Sequence, residues 1–209
     1  MLLDSNRLAS YLASKICHDL VSPVGAASSA LEFMQDSSAQ DMREQAEQLL
    51  EQSTSRSLAR LQFLRYAFGS MGMSKGAAEL HEAKAIAEGY VGSHKGEIEW
   101  NINAGSLSFA QVRVMMNVIM LGLACLSRDG SLKVTVDQDD TLTINLVASG
   151  KRARMAPDVR AALSNTEPED GWDPRTIQPY FMTMIVQELG GSFSFTEGEE
   201  TVSFTVTGL

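Results

Sequence analysis

Two long apolar stripes with helical spacing, one after the other, constrain this chain more than any other feature. Over residues 6–34 the apolar positions are Leu8, Leu12, Ile16, Leu20, Val24, Ala27, Leu31 and Met34. Steps of three and four keep one face apolar, so this run predicts a helix of about eight turns. A polar break covers residues 35–40, where Ser38 and Asp41 are spaced as in a capping box. A second stripe, from Ala46 through Leu49, Leu50, Leu58, Leu61 and Leu64 to Phe68, predicts a second helix, closed by a linker holding Gly69, Gly72 and Ser74. Two helices of about 45 Å each carry more apolar stripe than they can bury on one another. The economical solution is a homodimer whose paired hairpins make a four-helix bundle. The competing solution packs the hairpin on the rest of its own chain.

Beyond residue 74 the rhythm changes. Residues 79–88 read as a helix, 97–102 as a strand, and 108–126 as a buried helix capped by Ser108. Residues 132–136 and 141–147 read as strands around a turn at 137–140, and 157–163 as a short helix. A last helix, 176–189, ends on Gly190 and Gly191 as left-handed caps, and 192–196 and 201–207 close as a hairpin of strands. The chain therefore reads as α+β: a helical hairpin over residues 1–72, then one sheet with helices layered on one face over residues 73–209. With 209 residues, 44 % of them hydrophobic, and only five prolines, a well-packed protein is expected.

The chemistry is concentrated in the first helix, at His18-Asp19-Leu20-Val21-Ser22-Pro23. An imidazole can form a covalent intermediate when a neighbour orients it, and Asp19 is placed to orient or deprotonate the ring. A phosphoryl group on ring nitrogen stays reactive enough to be handed onward, so the motif points to a phosphate relay rather than a hydrolase. Pro23 should bend the helix one turn past the histidine. On the outward face with His18 lie Ser14, Lys15, Ser22, Gly25 and Ser29, small except for Lys15, which would let a partner approach closely. Hairpin register sets Arg56 and Arg60 beside His18, to assist a transferring phosphate or steer an acidic partner. His81 and His94 read as surface residues and the methionines as core filling.

Charge and cysteines exclude other classes. The formal charge is -9, about -1 over residues 1–75 and -8 over the remainder. So acidic a second part argues against nucleic-acid binding, which rests on phosphate neutralisation by Lys and Arg. Cys17 and Cys125 are too far apart for a metal motif or a disulfide framework. The start lacks signal-peptide character, and the longest apolar stretch, 114–126, contains Asn117 and is too short to span a bilayer. A cytoplasmic protein without membrane attachment is expected.

His18-Asp19-Leu20-x-x-Pro23 on a hairpin resembles the dimerisation and phosphoacceptor module of sensor histidine kinases. The ending Met182-x-x-Ile185-Val186-x-x-Leu189-Gly190-Gly191 is similar to the close of their ATP-binding domain. The run from Leu12 to Pro23, with Ser38-Ala39-Gln40-Asp41-Met42-Arg43 and Phe63-x-Arg65-x-Ala67-Phe68-Gly69, resembles the ChpT-type histidine phosphotransferases of alphaproteobacterial phosphorelays. The resemblance implies a degenerate histidine-kinase-like ATPase α/β sandwich after the hairpin. It also implies that His18 takes a phosphoryl group from the receiver domain of a hybrid histidine kinase and passes it to response regulators, cell-cycle regulators of the CtrA type.

His18 and Asp19 would be catalytic, and Lys15, Ser22, Pro23, Gly25, Ser29, Arg56 and Arg60 would touch the receiver. Three departures from the kinase pattern argue against ATP. Leu121 stands where a second asparagine should follow Asn117; Ala148-Ser149-Gly150 lacks the adenine-reading aspartate; Thr176 and Gln178, followed by Pro179, replace phosphate-binding glycines. The chain is expected to bind no cofactor of its own, with Mg2+ arriving on the receiver. An active kinase with a divergent ATP site and a receiver-binding scaffold are the alternatives.

Overall fold

The computed structural model describes residues 3–36, 40–70, 74–127 and 130–209. Helix α1 (Ser5–Gln35) starts at Asp4, whose carboxylate accepts from Arg7 N at 2.9 Å, and passes through Pro23 without ending. A 3-10 turn (Gln40–Met42) leads into α2 (Arg43–Phe68). Ser38 of the expected capping box and Gly72 of the expected linker lie outside the described residues. α2 stops at Gly69, where a Cβ would sit 2.3 Å from the Arg65 carbonyl oxygen, so only glycine fits that exit.

Then follow β1 (Ala77–Ala78), α3 (Leu80–Ser93), β2 (Glu97–Asn103), β3 (Leu107–Ser108) and α4 (Phe109–Ala124). After them come β4 (Gly130–Gln138), β5 (Leu142–Gly150), α5 (Pro157–Leu163), α6 (Ile177–Glu188), β6 (Ser192–Gly198) and β7 (Thr201–Thr207). The main sheet has the order β2-β4-β5-β7-β6, with β2 and β4 parallel and the other neighbours antiparallel. A two-residue ladder of β1 with β3 is too short to leave a period in the sequence.

Alternation decides the layering. Leu132, Val134 and Val136 of β4, Leu142, Ile144, Leu146 and Ala148 of β5, and Val202, Phe204 and Val206 of β7 are fully buried on one face. Residues between them, such as Lys133, Thr135, Asn145 and Thr205, face the other way and are polar. α4 lies on the buried face, held at its start by a reciprocal Ser108–Gln111 capping box. Gly122 lets it approach: a Cβ there would fall 2.6 Å from Leu146 Cδ2. At the end of α6, Gly190 takes the expected left-handed conformation (φ +78°). Gly191 does not; it is there for space, since its Cβ would meet Leu209 at 2.6 Å.

The hairpin does not stand free. Phe63, Leu64, Tyr66 and Ala67 of α2 belong to the same core as the sheet, and Leu8, Leu12, Ile16 and Leu20 of α1 pack against it. Phe63 stacks on Tyr90 of α3, centroids 3.8 Å apart and planes within 9°. One end of the hairpin is thus fixed to the sheet region, as in the competing solution. Its outer surface still exposes Val21, Val24, Leu31, Phe33, Leu49, Leu58 and Leu61.

Candidate phosphoacceptor site

His18 sits mid-way along α1 with its side chain 68 % exposed. Its Nδ1 lies 3.2 Å from Asp19 Oδ1. Consecutive residues diverge by about 100° on a helix, so the carboxylate reaches round to the ring, as the sequence reading required. Asp19 is only 11 % exposed, and Lys15 Nζ, one turn earlier, sits 2.7 and 2.9 Å from its two oxygens. From α2, Arg60 Nη1 donates to the backbone carbonyl of Asp19 at 2.8 Å. An ionised carboxylate only accepts. In the neutral ring this contact places the proton on His18 Nδ1 and leaves the lone pair on Nε2.

The expected outward face is present at Ser14, Ser22, Gly25 and Ser29, all exposed. Two expectations need correction. Pro23 is buried, so a receiver cannot touch it; the helix turns it inward, about 140° from His18. Lys15 is drawn in by Asp19 instead of facing outward. Arg60 stands beside the site as hairpin register predicts, with Nη1 on the Asp19 carbonyl at 2.8 Å. Arg56, a turn away, is exposed and lines a cleft of about 510 Å³ between α2 and α3, with Ala59, Gly89, Gly92 and Ser93.

Two neighbours escaped the sequence reading. Val21, 68 % exposed, flanks His18 just off the apolar stripe, an unpartnered valine that helical projection alone would have revealed. His94, at the end of α3, is exposed as a residue, yet its ring packs on Tyr90 at 4.6 Å and its Nδ1 donates to the Tyr90 carbonyl at 2.9 Å. Burial lowers its basicity, the Tyr90 carbonyl opposes this, and Arg60 and Lys15 lower it against the pull of Asp19. His94 is therefore electrically part of the His18 surroundings. Nothing local in the sequence signals this, because the Phe63–Tyr90 stack creates it.

The polar residues compared with the kinase pattern are engaged by the protein's own groups. Asn117 is fully buried; its Nδ2 donates to Ala67 O at 3.0 Å and Arg113 O at 2.9 Å, and its Oδ1 accepts from Gln178 Nε2 at 3.1 Å. Gln178 also donates to the Asn117 carbonyl at 2.9 Å. At the start of α6, Asp173 Oδ1 accepts from the backbone of Arg175 and Thr176, each at 2.8 Å. Burial raises the Asp173 pKa, but these bonds together with the Arg175 side chain outweigh it and hold the carboxyl below its usual range. An anion attracted to that helix start would meet a carboxylate already there. Among the described residues no three His, Cys, Asp or Glu side chains cluster to hold a metal ion.

Residues 80–201, more than half of the chain, match the family model described as the histidine phosphotransferase C-terminal domain. The chain belongs to the histidine phosphotransferase family. Protein phosphotransferase ChpT of Brucella abortus (strain 2308) is 31 % identical over 199 residues, covering 95 % of this chain and 94 % of the relative. A solved structure of a bacterial phosphotransferase superposes with a TM-score of 0.88 at 28 % identity, covering 99 % of this chain and 98 % of the other. Family membership assigns this chain phosphotransferase chemistry, and the α+β architecture agrees along its whole length. Among the described residues of this histidine phosphotransferase, no helix is long and apolar enough to cross a membrane.

Proposed function

We propose that this histidine phosphotransferase is a phosphorelay carrier. It accepts a phosphoryl group on His18 from the aspartate of a hybrid-kinase receiver domain and passes it to the aspartate of a response regulator. His18 carries this reading: its ring is open to a visitor while Asp19 holds Nδ1–H, leaving Nε2 as the nucleophile. In the forward step the Nε2 lone pair forms the N–P bond as the P–O bond of the aspartyl phosphate breaks. The electron pair leaves with the receiver carboxylate; onward transfer is the reverse on a second receiver. Such transfer asks mainly for positioning and charge stabilisation. Mg2+ bound by the receiver would supply the charge neutralisation. Ser14, Ser22, Gly25 and Ser29 give the close approach, with Val21 as an apolar contact and Arg56 at the rim.

ATP plays no part in this proposal. The engagement of Asn117 with Ala67, Arg113 and Gln178, and the carboxylate at the start of α6, support its exclusion. The working unit is a cytoplasmic homodimer joined through the outer hairpin face, where Ile16, Leu58, Leu61, Leu64 and Phe68 line an open apolar cleft of about 460 Å³. Incubation with the phosphorylated receiver domain of a hybrid histidine kinase should give acid-labile, base-stable label, absent from His18→Ala. A wild-type protein that binds the receiver yet stays unlabelled would be a scaffold. Micromolar ATP affinity in the presence of Mg2+ would restore the kinase alternative.

A further inference from the structure

Pro23 lies inside α1, four residues after Asp19. In a regular helix the N–H of residue 23 donates to the carbonyl of residue 19. Proline has no N–H. The carbonyl left over belongs to the residue that holds His18 Nδ1. Arg60 takes the vacant place from the opposite helix, Nη1 to Asp19 O at 2.8 Å. Its Nε is buried without a hydrogen-bond partner among the described residues, so the guanidinium is aimed at the carbonyl instead of being shared around the site. One turn further along α2, Phe63 is clamped on Tyr90, which fixes the height at which Arg60 meets α1.

We propose that Pro23 and Arg60 form a latch that sets the reactive tautomer of His18. The proline frees the Asp19 carbonyl, and Arg60 grips it across the hairpin. Asp19, so held and braced by Lys15, keeps the imidazole protonated at Nδ1. Arg60 is then a positioning residue acting through Asp19, with no contact to the phosphoryl group or the receiver. The latch rests on His18 being the phosphoryl acceptor.

A double-mutant cycle tests it on the full-length protein, with a hybrid-kinase receiver domain phosphorylated by acetyl phosphate in Mg2+ as donor. In the native background, Arg60→Gln should lower the maximal rate of His18 labelling about tenfold or more, with the half-saturating receiver concentration unchanged. In Pro23→Ala the restored N–H serves the Asp19 carbonyl, so adding Arg60→Gln should change little. An equal loss in both backgrounds, a loss expressed as weaker receiver binding, or no loss in either would overturn the latch. Imidazole 15N shifts, assigned with His18→Gln, give a readout independent of transfer. Arg60→Gln should move His18 toward the Nε2–H tautomer, and Arg60→Lys should restore part of the Nδ1–H population. Unchanged shifts would overturn the proposal even if Pro23→Ala failed to fold. A native protein that takes no label would sink the phosphocarrier function and leave the ring measurement standing.

Discussion

The hairpin and the sheet region treat apolar surface in opposite ways. Of the nine large hydrophobic residues exposed among the described ones, only Leu189 lies in the sheet region; the other eight lie along the hairpin, from Val21 to Leu61. The contrast runs through α2 itself. Phe63 and Ala67 are fully buried, while Leu58 and Leu61, on the other side of the same turns, are 56 % and 52 % exposed. A sheet with helices on one face completes its own core. A hairpin fixed along one side completes half of its core and leaves the rest exposed. His18 stands where the two regimes meet, backed by packed structure and open in front.

The sharpest break of this contrast is to charge the open side. Leu58→Glu with Leu61→Glu should turn a dimer into a monomer by sedimentation at micromolar concentration, without loss of helical signal, because neither side chain supports the chain's own core. Helical loss instead would mean those leucines stabilise the single chain. Next comes the fixed side. Asn117→Ala leaves Ala67 O with only the 3.4 Å bond from Arg113 and Gln178 with only the residue-117 carbonyl as acceptor, and should lower unfolding free energy by about 2 kcal/mol in urea titration. A loss below about 1 kcal/mol would mean that the tie between α2 and the sheet region is carried by apolar packing alone.

Gly69→Ala drives a methyl group into the Arg65 carbonyl and should destabilise by roughly 2 kcal/mol. The effect should be absent if α2 can fray at that end without disturbing Phe68. Smallest is the pH response of His94, which packs against Tyr90 of α3 and faces Arg60 of α2 and Asp19 and Lys15 of α1. Its basicity in the folded protein is lowered, chiefly by burial. The unfolded chain therefore takes up a proton first, and stability present above about pH 6.5 erodes as pH falls below it. His94→Gln should flatten the decline in urea midpoint between about pH 7.5 and pH 5.5. An unaltered slope would assign the acid sensitivity to other groups.

Much of this architecture was readable from period and caps. The two helical stripes, the Ser108 start of α4 and the alternating β4 and β5 are local patterns, and each formed close to its expected bounds. The His18–Asp19 pair was legible for the same reason, being neighbours on one helix. Contacts made across the fold were not. The burial of Pro23, the turn of Arg60 toward a backbone carbonyl and the approach of His94 depend on how α1, α2 and α3 pack. Helical spacing gives the angle of a residue on its own helix and nothing about what lies opposite. Asn117 shows this best: its identity suggested a relic of metal binding, while its bonds to Ala67 and Gln178 make it a structural member.

That asparagine also bears on the protein's future. A change that released its amide to serve a magnesium ion would at the same moment remove one of the ties between the end of α2 and the sheet region. A variant that recruited the residue to a metal would thus pass through a weakened molecule before any benefit appeared. The present bonds of Asn117 act as a brake on what that position can next become.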